Sequence, residues 1–74
     1  MLSKTTRENM LHIACYDGEA KLVQSILEEG TDPDCLDIHR QTPLMKASLK
    51  GHLEVVVLLL KSGANPNATN VSFD

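Results

Sequence analysis

Apolar residues recur along the chain at helical rather than alternating spacing. Leu22, Val23, Ile26 and Leu27 fall at i, i+1, i+4 and i+5, one stripe of a helix with Gln24 and Ser25 between. Farther on, Val55 to Leu60 form an unbroken run of six apolar residues, which alone fits a buried strand equally well. Sliding the sequence by 33 residues resolves it. Arg7/Arg40, Leu11/Leu44, Ala14/Ala47, Gly18/Gly51, Val23/Val56, Leu27/Leu60, Gly30/Gly63 and Pro33/Pro66 then coincide, so the run is the second copy of the helical stripe. Each copy reads helix, turn, helix, loop. In the second, Thr42 is the N-cap, Pro43 takes the first helical position, and the helix runs to Lys50 before Gly51. The next helix starts near Leu53 and stops at Gly63, and Asn65-Pro66-Asn67 opens a turn-rich loop. In the first copy the opening helix is expected to be capped by Asn9, with Met10 in the place of Pro43.

These residues resemble the ankyrin repeat. Thr42-Pro43-Leu44-Met45-Lys46-Ala47 matches T-P-L-H-x-A with Met for His, and the stretches Gly51 to Leu60 and Gly63 to Ala68 follow the family pattern. Leu11-His12-Ile13-Ala14, Gly18 and Gly30 keep it in the first copy. The resemblance implies an all-α repeat solenoid, with stacked antiparallel helix-turn-helix units joined by β-hairpin-like loops. On this reading residues 1–37 are a cap-like first repeat, 38–70 a second, and 71–74 the truncated start of a third hairpin. Gln24 and Ser25 stand where the second copy has Val57 and Leu58, which suits a solvated outer face on the first unit. Two copies are fewer than the three or so that usually sustain a stack, so the chain is expected to be part of a longer array, or to have its C-terminal apolar face covered by further repeats or a second chain. In the family, the Thr and His of the motif join a network tying neighbouring repeats. Met45 removes the imidazole from one copy, and Asn9 replaces the Thr in the other. Where the family favours Gly in the hairpin, Arg7, Arg40 and Phe73 stand, and a Cβ is strained there if φ is positive.

Composition narrows the function classes. At 74 residues there is one small domain, burying about 60% of its unfolded surface. Aromatics are 3%, too few for a base-stacking platform, and a net charge of −3 gives no support for polyanion binding. The charge is uneven, with three bases against eight acids in residues 1–37 and four against two in 38–74. Six consecutive apolar residues are far short of a membrane span, and residues 1–8 contain no signal-peptide core. With only Cys15 and Cys35, a disulfide scaffold is not indicated. An intracellular location, cytoplasmic or nuclear, is expected.

Candidate chemistry is sparse. His12-x2-Cys15 and Cys35-x3-His39 have metal-like spacing, but both cysteines replace small residues of the other copy, Ser48 and Ala68, and read as buried packing. Cys15 beside His12 lacks the surroundings of a nucleophile, and no phosphate loop or carboxylate pair occurs. No cofactor is expected. Two sequons, at Asn67 and Asn70, read as unmodified loop residues, and the resemblance makes Asn67 a candidate for asparaginyl hydroxylation, with Leu59 eight residues earlier but Pro66 in place of an aliphatic.

The expected function is therefore that of a non-catalytic protein–protein interaction scaffold. Regulatory or targeting segment of a larger enzyme is the first alternative, and a small zinc domain the second. The resemblance implies contact through hairpin tips and the concave first-helix face. By position these are Thr5, Thr6, Glu8, Ile13, Tyr16 and Asp17 in the first copy, and Ile38, His39, Gln41, Lys46, Leu49 and Lys50 in the second. Tyr16 and Leu49 occupy matching places as anchors. Lys46 and Lys50, four apart on one helix with His39 and Arg40 nearby, suggest a protein partner with an acidic segment, and neither nucleic acid nor membrane.

Overall fold

The computed structural model describes residues 3–66. Within them lie four helices, α1 (Lys4–Asp17), α2 (Ala20–Glu28), α3 (Pro43–Lys50) and α4 (Leu53–Lys61), and no strand. Asn67, the two sequons and the third hairpin expected at 71–74 fall outside these residues. α1 packs on α2 and α3 on α4, forming two helix pairs; α1 then lies against α3 and α2 against α4, so the pairs stack as translated copies.

The second copy folds as its residues dictate. Thr42 Oγ1 accepts the Met45 N–H at 3.2 Å, and the Met45 thioether takes the Thr42 N–H at 3.3 Å. Met45 thus replaces the expected imidazole with a sulfur acceptor that closes the cap, and it is buried. Gly51 ends α3 at φ 74°, in the left-handed region.

The start of the first copy differs from expectation. Asn9 is not a cap; it lies inside α1, which begins at Lys4 behind Ser3, whose Oγ accepts the Thr6 N–H at 3.1 Å. No Gly or Pro interrupts residues 3–17, and a good cap was available, so the helix starts at Lys4, well before Met10, the counterpart of Pro43 in the translated frame. Thr5, Thr6, Arg7 and Glu8 are therefore helical, not a hairpin tip.

The core runs through both pairs: Leu11, Ala14, Cys15, Val23 and Ile26 from the first, Leu44, Ala47, Val55 and Leu59 from the second. Leu11, Val23, Val55 and Leu59 are wholly enclosed, each contributing about 1.5–3 kcal/mol of burial. Equivalent positions show which faces the stacking covers. Cys15 and Val23 are buried, while their counterparts Ser48 and Val56 are exposed and half-buried; Val55 is buried and its counterpart Leu22 is exposed.

One polar tie holds the first unit together and two more join it to the second. The His12 ring bonds the Cys35 carbonyl at 3.0 Å, the His52 ring bonds the Tyr16 carbonyl at 2.9 Å, and the Asn65 N–H donates to Asp34 Oδ1 at 3.0 Å.

Candidate partner-binding surface

The loop between the helix pairs is organised by one carboxylate. Asp37 Oδ1 accepts the His39 and Gln41 N–H groups at 2.8 and 2.9 Å, and its backbone closes a tight turn with Arg40 and Gln41. This β-hairpin-like turn holds Arg40 at φ 63°, so the strain expected of a side chain at that position is present, although at Arg7, within α1, it is not. Asp37 Oδ2 receives the Lys46 ammonium at 2.6 Å, and Lys46 also donates to Gln41 Oε1 at 3.1 Å. Burial pushes the Asp37 carboxyl up, but Lys46 and the two N–H donors outweigh it and hold the group well below the usual carboxylate range.

Beside this pair lies a concave cavity of about 390 Å³ lined by Asn9, His12, Ile13, Tyr16, Asp37 and Lys46. Its shape follows from the helix stack, because α1 supplies one wall, and α3 with the turn supplies the other. The Lys50 ammonium sits 4.8 Å from the Tyr16 ring centroid, a cation–π contact that joins the two repeats at the rim.

His12 forms part of the floor. A carbonyl only accepts, so Nε2 carries the proton that goes to Cys35, and Nδ1 is left buried with no partner among the described residues. Burial lowers its pKa, with Lys46 adding to the effect, and the ring is neutral. Burial also raises Cys15 and Cys35 to about 12, which leaves both as inert, free thiols. Cys35 Sγ lies 3.5 Å from His12 Nε2, but His39 is exposed at the turn, and no group of three metal-ligating residues converges among the described residues.

The residues singled out from sequence thus separate. Ile13, Tyr16 and Lys46 meet at the cavity, and Gln41 joins through Lys46. Leu49 and Lys50 follow at the end of α3, and Ile38 and His39 stand exposed on the turn. Asp17 is exposed at the end of α1, while Thr5, Thr6 and Glu8 lie on its first turns away from the cavity lining. Sequence reasoning missed Asn9, His12 and Asp37 as lining residues, His12 having been weighed only for metal or nucleophile chemistry. Asp37 had a local signal, since an Asp two and four residues before a loop's N–H groups is a natural Asx-turn former.

Several apolar side chains on α1, the turn and α3 are exposed. Ile13 is 62% exposed, Tyr16 47%, Ile38 91% and Leu49 73%. No helix among the described residues is long and apolar enough to cross a membrane.

Comparison with known proteins gives a consistent picture. The family described as ankyrin repeats (3 copies) matches residues 1–70. Over 72 residues, 97% of this chain, the sequence is 40% identical to human ankyrin repeat and KH domain-containing protein 1. It is 39% identical over 59 residues (80% of the chain) to the E3 ubiquitin-protein ligase XB3 of Oryza sativa subsp. japonica. Over 59 residues, again 80% of the chain, it is 34% identical to the ADP-ribosylation factor GTPase-activating protein AGD4 of Arabidopsis thaliana. The chain spans only 3%, 13% and 8% of the lengths of these three relatives.

Proposed function

Because the chain belongs to the ankyrin repeat family, whose repeats are protein-interaction modules, we propose that it is a non-catalytic scaffold binding a partner protein through the concave side of α1 and α3 and the Asp37–Gln41 turn. The observation that carries this reading is the preformed cavity lined by exposed Ile13 and Tyr16, with exposed Ile38 on the adjoining turn and Leu49 on α3. Buried aromatic and aliphatic anchors dominate the energy of many interfaces, and a rigid helical wall presents them at little entropic cost. Tyr16 is further fixed by Lys50 above its ring.

The partner carries an acidic segment over the second repeat. Lys46 is already matched by Asp37, so among the described residues the positive charge not met by a carboxylate comes from Lys50 on α3 and Arg40 on the turn. Binding of this kind weakens with salt. Both thiols are free and buried, which suits a reducing, intracellular compartment. The units 1–37 and 38–70 act as one surface, since the cavity draws on both.

The test is site-specific photo-crosslinking from Ile13 and Ile38, with Ser25 on the opposite side as control, followed by affinity measurement with the purified partner. One protein should be captured from both concave positions and not from Ser25. Tyr16→Ala should weaken it about 30-fold or more, as removal of an anchor worth about 2 kcal/mol does. Capture equal from all three positions, or affinity unchanged by Tyr16→Ala, refutes the proposal.

A second reading, a regulatory or targeting segment within a larger enzyme, is favoured by the ligase and GTPase-activating relatives. It predicts that residues 1–74 lie in one polypeptide with a catalytic domain, which intact mass of the native protein decides.

A further inference from the structure

The floor of the cavity between α1 and α3 holds a hydrogen-bond acceptor with nothing to accept. His12 is only 5% exposed, and its Nε2 proton goes to the Cys35 carbonyl at 3.0 Å. Nδ1 therefore keeps its lone pair, buried and with no partner among the described residues. The second copy shows what the first lacks. There Met45, the counterpart of His12, uses its sulfur to accept the Thr42 N–H at 3.3 Å. Asn9, the counterpart of Thr42, lies instead inside α1, where its N–H belongs to the helix ladder. Extending α1 back to Lys4 thus removes the donor this acceptor would have had. Buried polar atoms are nearly always hydrogen-bonded, so the exception marks a place for a donor from outside.

Taking the concave face as the partner surface, we propose that the donor is the hydroxyl of a tyrosine side chain on the partner protein, seated in this cavity. The lining selects it. A space of about 390 Å³ walled by Ile13 and Tyr16 suits an aromatic ring better than a serine or threonine. Lys46 and Asp37 cancel each other's charge and Lys50 stands unmatched at the rim, so a cationic lysine or arginine donor is repelled. Lys46 spends two N–H groups on Asp37 and Gln41, and its ammonium has a third. A phenol oxygen can take that third N–H while its own proton goes to His12, whereas the indole of tryptophan donates only. Asn9 precedes His12 by three residues on the same helix face, lines the cavity and is exposed, so it can swing aside as the ring enters.

Nitrogen-15 NMR of the histidine rings in the full chain, titrated with N-acetyl-tyrosinamide to about 20 mM, tests the contact. Saturable binding should move the His12 Nδ1 resonance upfield, as accepting a hydrogen bond does for an unprotonated ring nitrogen. N-acetyl-phenylalaninamide lacks the hydroxyl, and the O-methyl ether of the tyrosine amide accepts but cannot donate. Each should bind about tenfold more weakly or worse, because His12 stays unpaired beneath it. N-acetyl-tryptophanamide should also bind more weakly. Ile13→Ala, at a side chain 62% exposed, should weaken the tyrosine amide several-fold with the helical circular dichroism unchanged. Equal affinity for any of the three analogues, a His12 resonance that does not move, indifference to Ile13→Ala, or no saturable binding overturns the proposal. None of these results bears on crosslinking from Ile13 and Ile38, so a failed tyrosine contact and a failed partner surface are told apart.

Discussion

Asp37 carries more of the loop than any other side chain, and its removal can be sized from the structure. Its carboxylate accepts two backbone N–H groups at 2.8 and 2.9 Å and the Lys46 ammonium at 2.6 Å. The Lys46 and Asp37 side chains are 16% and 14% exposed, so water screens the pair only partly. A hydrogen bond to a charged group contributes about 1.5–3 kcal/mol, but the three here share one anion, and the turn N–H groups can turn to water once it is gone. Asp37→Ala should therefore cost about 2–3 kcal/mol, or about 8–24 °C in melting temperature for a domain of this size. Asp37→Asn keeps an oxygen for both N–H groups and loses the ion pair, and should cost about 1–2 kcal/mol. Thermal unfolding followed by circular dichroism measures both. The pH dependence has a definite sign. The carboxyl pKa is lowered in the folded chain, so its stabilisation is complete above the unfolded pKa of about 4 and is lost as pH falls through the folded value. The gap between wild type and Asp37→Asn should hold steady from pH 7 to about 5 and close toward about pH 2. An Asp37→Ala protein that melts within about 2 °C of wild type, or a gap unchanged in acid, would refute this account.

Other consequences are independent of that loop carboxylate. Arg40 sits at φ 63°, and Arg40→Gly should stabilise by about 0.5–1 kcal/mol, the release of left-handed strain less the added freedom of the unfolded chain; a lower denaturant midpoint contradicts it. His12 is neutral in the fold with a lowered pKa, so stability is full above about pH 6.5 and falls as pH drops through the folded value. Wild type should melt a few degrees lower at about pH 5 than at pH 7.5, with the difference reduced in His12→Gln. Cys15 and Cys35, buried with pKa values near 12, should react with a thiol-specific disulfide reagent only on unfolding, and a fast native-state reaction would contradict their burial.

How far the sequence foretold the structure depends on whether a local rule or the translated frame governed each element. Thr42-Pro43 and Gly51 are local signals, and α3 begins and ends where they place it. The run Val55 to Leu60 was ambiguous alone, and the repeat alone made it a helix, as α4 is. At the N-terminus the two kinds of signal disagreed. The frame required a turn at residues 5–8, but Ser3 and an uninterrupted polar stretch favoured helix, and the local chemistry prevailed. The candidate surface was legible in part. Ile13, Tyr16 and Lys46 follow from position in the repeat, whereas the pairing of Lys46 with Asp37, nine residues back, depends on how the turn folds. A helical stripe of lysines therefore read as open charge when half of it is already neutralised within the chain.

The contact between His52 and Gly18 links the histories of two positions 34 residues apart. A Cβ at position 18 would stand 2.6 Å from the His52 ring, whereas one at position 51 meets nothing within 4 Å. Both glycines have positive φ, and asparagine is the usual substitute that tolerates it. Position 51 is thus free to drift to asparagine over evolutionary time, but position 18 is locked until residue 52 becomes small. In an alignment of descendants of this chain, 18 and 52 should change as a pair, and 51 alone.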